Sequence, residues 1–123
     1  MKQRGMIEQL WAEEKYKVMM HSQKHYNLIR EELKKGISME VLETLIDDAL
    51  KITPEPGAVI NTADHMWGYF KKICTNAEKN EYLHLKEAYK KESIPTEKML
   101  AFIRKSADKY EVEYLQKSTV LNK

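Results

Sequence analysis

The sequence predicts an all-α fold, a compact bundle of about six helices with short loops. Three observations carry this expectation. Apolar residues recur at three- and four-residue spacing along most of the chain, the period of a helix with one buried stripe. No segment alternates polar and apolar residues for long enough to compete as a strand. Helix breakers are scarce, with 4 Gly and 3 Pro, and the loops they mark are short.

A chain of 123 residues fits one domain, expected to run over residues 1–123, and it can bury a core without metal or disulfide staples. The 42% hydrophobic and 33% charged content fits amphipathic helices and argues against disorder. The single cysteine, Cys74, excludes an intramolecular disulfide framework and favours a reducing compartment. Its N-terminal residues lack the apolar run of a signal peptide, and no window has the apolar length of a membrane span, so a cytoplasmic location is expected. The net charge of +2 is too small to imply nucleic-acid binding by itself; such a reading depends on where the charges sit.

The elements follow in order. Ser22 is placed to cap a helix running to about Lys35, which divides the first forty residues into two helices. Gly36, preceded by Lys34 and Lys35, is a C-terminal stop with cations at the negative end of the helix dipole. Ser38 caps a third helix carrying Met39, Leu42, Ile46 and Ala49 on one stripe. The clearest loop is Thr53-Pro54-Glu55-Pro56-Gly57. The strongest helix is expected from about Ala58 to Cys74, with Val59, Ala63, Met66, Phe70 and Ile73 on its apolar stripe. Asn61, His65, Gly68 and Lys72 recur on a different face, flanked by Tyr69 and Lys71. Thr75-Asn76-Ala77-Glu78 is a capping box, and the helix after it carries Tyr82, Leu85 and Tyr89. Pro95 stands where the last helix can begin, with Met99, Ile103, Ala107 and Tyr110 on its stripe. The expected core includes Leu10, Leu42, Ile46, Val59, Met66, Phe70, Leu85, Ile103 and Ala107.

Few constellations carry chemistry. His21 and His25 are four apart, which could place two imidazoles on one side of a helix, but the break at Ser22 interrupts that geometry. There is no HExxH, and the single ExxH at Glu81–His84 lacks the second motif and the extra carboxylates of a di-iron bundle. Cys74, at the end of an apolar stripe, reads as a buried spectator. No phosphate-binding glycine loop, Walker motif or GxSxG elbow is present. Basic and aromatic residues are interleaved twice: Lys15, Tyr16, Lys17, His21, Lys24, His25, Tyr26 and Arg30, then His65, Tyr69, Lys71 and Lys72. Lysines neutralise phosphates and aromatic rings stack on bases; the plainer reading is a solvated face and tyrosines that finish a core.

Three segments together resemble a known family. They are Leu10 to Tyr26 (LWAEEKYKVMMHSQKHY), Asn61 to Lys72 (NTADHMWGYFKK), and Tyr114-Leu115 with Leu121-Asn122. In order and content they are similar to the YbgA-like family, the domain of unknown function DUF1722, over nearly the whole chain. The resemblance implies a helical domain that often stands behind a cysteine-rich, iron–sulfur-dependent desulfidase domain acting on thiolated uracil. It therefore implies an accessory role, holding thiolated tRNA for an iron–sulfur desulfidase-type partner. The desulfidase cysteines belong to that other domain, and one Cys cannot hold a cluster with Cys ligands alone. No cofactor, metal ligand or catalytic residue is thus expected here. Matching motif positions gives Lys15, Tyr16, His21, Tyr26, Asn61, His65, Tyr69 and Lys71 as candidate nucleic-acid- or ligand-binding residues, and Lys72 joins them from the polar face of the strongest helix. The chain departs from the family pattern at Glu13 and Glu14, where a basic residue or His is usual, and at Ser118, Val120 and Lys123 near the end, as expected of a divergent, free-standing member.

Two other functional classes stand beside this one. A small enzyme or metal-binding protein would use His21, His25 and His65 as acid–base groups or ligands. A protein–protein adaptor would use an exposed Trp11, Trp67 or a methionine-rich surface.

Overall fold

The structure, a computed structural model, describes residues 2–122; Met1 and Lys123 lie outside the described residues. Among the described residues there are seven α-helices, a closing 3₁₀ turn and no strand. The helices are α1 (Lys2–His21), α2 (Gln23–Lys35), α3 (Met39–Leu50), α4 (Pro56–Trp67), α5 (Asn76–Lys90), α6 (Thr96–Lys109) and the short α7 (Glu113–Gln116), followed by the 3₁₀ turn Thr119–Leu121.

Local chemistry sets these boundaries. Ser22 has extended backbone, and its hydroxyl accepts the His25 backbone N–H at 3.1 Å, which ends α1 and starts α2. Gly36 takes φ +84° after α2, a conformation that favours glycine, and its N–H returns to the Leu33 carbonyl at 3.2 Å. Ser38 caps α3 by accepting the Val41 N–H at 3.2 Å. Pro56 opens α4, where a missing N–H costs nothing, and Pro95 immediately precedes α6.

The capping box at α5 is complete: the Glu78 N–H donates to the Thr75 hydroxyl at 3.1 Å, and the Thr75 N–H donates to the Glu78 carboxylate at 2.9 Å. That carboxylate does more than cap its own helix. Lys109 at the end of α6 donates to it at 2.6 Å, and the Tyr110 hydroxyl donates to it as well. The hydrogen bonds from Lys109, Tyr110 and the Thr75 amide, in that order, pull the Glu78 carboxyl from 4.5 down to about 2. A depressed carboxyl stabilises the fold above its unfolded-state value and loses that contribution as pH falls through its folded value. The expected result is a fall in the urea midpoint between about pH 5 and pH 2 that Glu78→Gln partly removes, while the substitution lowers the midpoint at neutral pH. Identical pH profiles for the two proteins would show that Glu78 does not link α5 to α6 in this way.

The buried residues form two clusters with α1 between them. The larger joins Tyr16, Met19 and Met20 of α1 to Val59, Ala63, Met66, Trp67 and Phe70, to Tyr82 of α5, to the inner face of α6, and to Leu115, Val120 and Leu121. The smaller joins Val18 to Ile29, Leu42, Ile46 and Ala49, with Ile7, Leu10 and Trp11 along its edge. A helix that packs on two sides must be apolar on two sides, which is why α1 shows no single stripe in the sequence. Most of the expected core is buried. Leu10 and Leu85 are exceptions: both are half-buried at the margins of these clusters.

The strongest predicted helix is shorter than expected. Regular α-helix ends at Trp67, and residues 68–73 continue as turns. Beyond Gly68 the backbone hydrogen bonds tighten, Tyr69 N–H to Met66 at 3.2 Å and Phe70 N–H to Trp67 at 2.9 Å, so the residues wind faster than in an α-helix. The apolar stripe holds through Phe70 and then drifts off the core, leaving Ile73 52% exposed. A Cβ on Gly68 would first meet the His65 carbonyl of its own segment, 3.1 Å away; the glycine does not admit a neighbouring helix. Trp67, the residue proposed to be exposed in the adaptor reading, is buried and stacks on Tyr82 with ring centroids 4.7 Å apart. The methionines do not make a surface either: Met19, Met20, Met66 and Met99 are buried, and Met6 is exposed.

Candidate functional site

Three tyrosines from distant parts of the chain meet where α1, the end of α4 and α7 converge. The Tyr16 and Tyr69 hydroxyls are 3.2 Å apart, and either can donate. The rings of Tyr69 and Tyr114 lie nearly parallel, 20° between planes and 6.1 Å between centroids. Tyr16 meets both of them edge-on, with centroids 6.5 Å away in each case. The Lys15 ammonium sits 5.3 Å from the ring centroids of both Tyr16 and Tyr114. Tyr16 is buried, whereas Tyr69 is 39% and Tyr114 38% exposed. Burial, and then the hydrogen bond with Tyr69, push the Tyr16 phenol above its ordinary value, and burial raises Tyr114. Tyr16 and Tyr114 are therefore neutral at physiological pH, with the Lys15 side chain beside them.

The C-terminal segment is fastened so that Tyr114 can take this place. The Thr119 hydroxyl lies 2.9 Å from the Glu14 carboxylate and 3.2 Å from the Glu13 carbonyl, and Arg104 donates to the Leu121 carbonyl at 2.8 Å. Glu14, a departure from the family pattern, thus ties the tail to α1.

The other candidates are distributed around this centre. On the polar face expected for the strongest helix, Asn61, His65 and Lys72 are exposed, and the Asn61 amide donates to the Gln23 side chain at 2.9 Å. The His21 Nδ1 is 2.8 Å from the Ile52 carbonyl, and the His25 Nδ1 is 2.8 Å from the Ser22 hydroxyl. The His25 bond is local to the α1–α2 break, whereas the His21 bond reaches the loop after α3. Among the described residues no group of three or more His, Cys, Asp or Glu is placed to hold a metal ion. Tyr26 packs against Trp11, centroids 5.7 Å apart, with the Arg30 guanidinium 5.7 Å from its ring. Of the predicted residues, then, Lys15, Tyr16 and Tyr69 meet directly. Tyr114 belongs with them but was legible only as part of the C-terminal family segment.

Two hollows border the cluster and α4. A cleft of about 740 Å³ runs between the first half of α1 and the α2–α3 connection, lined by Ile7, Trp11, Leu33 and Ile37, with Arg4, Lys34, Lys35 and Tyr114 among its walls. A smaller cleft of about 450 Å³ lies between α4 and α5, and Lys71 lines it. There Asp64 accepts from the Tyr82 hydroxyl at 2.6 Å and from Lys86 at 2.9 Å. Burial alone would raise the Asp64 carboxyl, but the bonds from Tyr82 and Lys86 outweigh it and hold the group below its ordinary value. Cys74 is half-buried at the edge of this cleft, its Sγ 4.0 Å from the Lys71 carbonyl.

The fold and these surfaces define a small all-α domain with a paired-tyrosine surface flanked by lysines. No helix among the described residues is long and apolar enough to cross a membrane. The chain belongs to the DUF1722 family, described as a protein of unknown function, whose model matches residues 15–123. No curated relative and no solved structure matches it.

Proposed function

We propose that this chain is an accessory RNA-binding domain that holds tRNA, thiolated as the family resemblance implies, for an iron–sulfur desulfidase-type partner. The observation that supports this reading is the Tyr69–Tyr114 pair: two nearly parallel rings, each more than a third exposed, braced by buried Tyr16, with the Lys15 side chain over the Tyr114 ring. Aromatic faces that are held in place stack unpaired bases at little entropic cost, and neighbouring lysines neutralise the phosphates that come with them. Lys72 and His65 extend the polar surface along α4 and the turns after it, and Lys71 extends it toward α5. The test is a fluorescence titration of the protein with total tRNA at two salt concentrations. Micromolar binding that weakens steeply with salt is the expected result, and its absence removes the RNA reading.

One observation favours an adaptor instead. The 740 Å³ cleft sets the apolar side chains Ile7, Leu33, Ile37 and half-buried Trp11 among charged walls. Recovery of the protein with a stoichiometric protein partner and no RNA would favour that reading. The enzyme reading gains less, because His21 and His25 each already have a hydrogen-bond partner at Nδ1.

A further inference from the structure

The 450 Å³ cleft between α4 and α5 has features that the tyrosine surface does not explain. Three ammonium groups, Lys71, Lys79 and Lys86, line it against a single carboxylate, Asp64. Both Asp64 oxygens are already engaged, one by Tyr82 and the other by Lys86. Lys71 and Lys79 make no ion pair with a described residue, so the cleft keeps an excess of about two positive charges. Concave surfaces concentrate such a field. The same α5 wall carries an apolar patch: Leu83, between Lys79 and Lys86, lines the cleft yet is 48% exposed.

We propose that this cleft binds a phosphate monoester, with its dianionic group between Lys71, Lys79 and Lys86 and its organic part against Leu83. Asp64 holds the Tyr82 hydroxyl and Lys86 on the floor, which fixes one cation in place before the ligand arrives. Three ammoniums exclude a metal cation. Two uncompensated charges match a monoester, which carries close to two negative charges at neutral pH. The volume is within the range of about 300–1,000 Å³ typical of small-ligand sites, larger than a bare phosphate needs. The source of the monoester is a free nucleotide or the phosphorylated end of a nucleic-acid strand, which share this chemistry. The site lies on the α5 side of α4, whereas Tyr69 turns toward α1, so it is separate from the proposed RNA surface except for Lys71. Lys79 and Lys86 therefore test it independently of that reading.

The experiment is a ¹H–¹⁵N NMR titration of the whole chain at constant ionic strength with uridine monophosphate, uridine, inorganic phosphate, and a short oligoribonucleotide with and without a 5′-phosphate. Saturable shifts centred on Lys79, Leu83 and Lys86 are expected with the monophosphate or with the phosphorylated oligonucleotide, and not with uridine. Shifts with the monophosphate alone assign a free nucleotide; shifts with the phosphorylated strand alone assign a nucleic-acid end. Lys79→Ala and Lys86→Ala should each weaken binding about fivefold, as for a partly exposed charge pair. Lys79→Arg should restore it, and Lys105→Ala, on the exposed side of α6, should leave it unchanged. Spectral dispersion confirms that each variant is folded. Three results overturn the site: no saturable shift at tens of millimolar of any phosphorylated probe, equal binding of uridine, or an equal loss with Lys105→Ala.

Discussion

Phe70→Ala should destabilise the protein by about 3–5 kcal/mol, the cost of emptying a well-packed aromatic site. The side chain is fully buried, with ring centroids 5.6 Å from Trp67 and 5.9 Å from Tyr110. It therefore bridges the end of α4 and the end of α6, and truncation leaves a hole that neither neighbour can fill without moving. Its backbone carbonyl also accepts from both Ile73 and Cys74, at 3.0 and 2.8 Å, so collapse of the site would have to drag the whole turn with it. Against a domain stability of about 5–15 kcal/mol, such a loss is severe. The measurement is the urea midpoint at unchanged slope. Ile73→Ala is the internal comparison. The sequence puts it on the same stripe, but it is exposed, so it should cost less than about 0.5 kcal/mol. Equal costs at the two positions would mean that the stripe does continue past Phe70 as regular helix and that the turn is misplaced.

That pair of residues also shows what the sequence could and could not reveal. Helix starts were legible because capping is local: Ser22, Ser38 and Thr75 each bond an N–H three residues ahead, and such spacing can be read directly. The end of α4 was not, because Gly68 is tolerated within a helix and only the tighter hydrogen bonding after it turns Ile73 outward. Trp67 lies four residues after Ala63 and three before Phe70, at the margin of the apolar stripe, so spacing alone leaves its burial open; stacking on Tyr82 from another helix covers it. The site followed the same division. Lys15, Tyr16 and Tyr69 could be nominated from the family-like segments, and Asn61, His65 and Lys72 fall on one exposed face as the helical period requires. Tyr114 could not be joined to them, since its place depends on a tail fastened by Leu121 to Arg104 and by Thr119 to Glu14, the latter contact spanning 105 residues. The lysine-lined cleft was equally hidden, because Lys71 and Lys86 converge only when α4 and α5 pack around Asp64.

Tyr69→Ala should weaken tRNA binding by about 1–3 kcal/mol if its ring stacks on a base, and Tyr69→Phe should keep most of the affinity. The contrast follows from the geometry. The ring face lies parallel to Tyr114 and is partly open to solvent, whereas the hydroxyl is spent on Tyr16 at 3.2 Å. Losing the ring removes the stacking platform; losing only the hydroxyl frees one partly buried phenol. The joint replacement of Lys71 and Lys72 by alanine should act differently. Phosphate contacts carry little sequence information, so affinity should fall alike for many RNAs. Each lost contact should also flatten the dependence of log affinity on log salt by about 0.7–0.9. Both lysines are exposed, so neither substitution should change the stability obtained from urea unfolding by more than about 0.5 kcal/mol, which separates a binding defect from an unfolded protein. Titrations of the four proteins against tRNA at two salt concentrations give all of these quantities. A Tyr69→Ala protein that binds like wild type, or a lysine pair whose removal leaves the salt slope unchanged, would take the tyrosine surface out of RNA recognition and leave the cleft beside Trp11 as the better candidate for a partner.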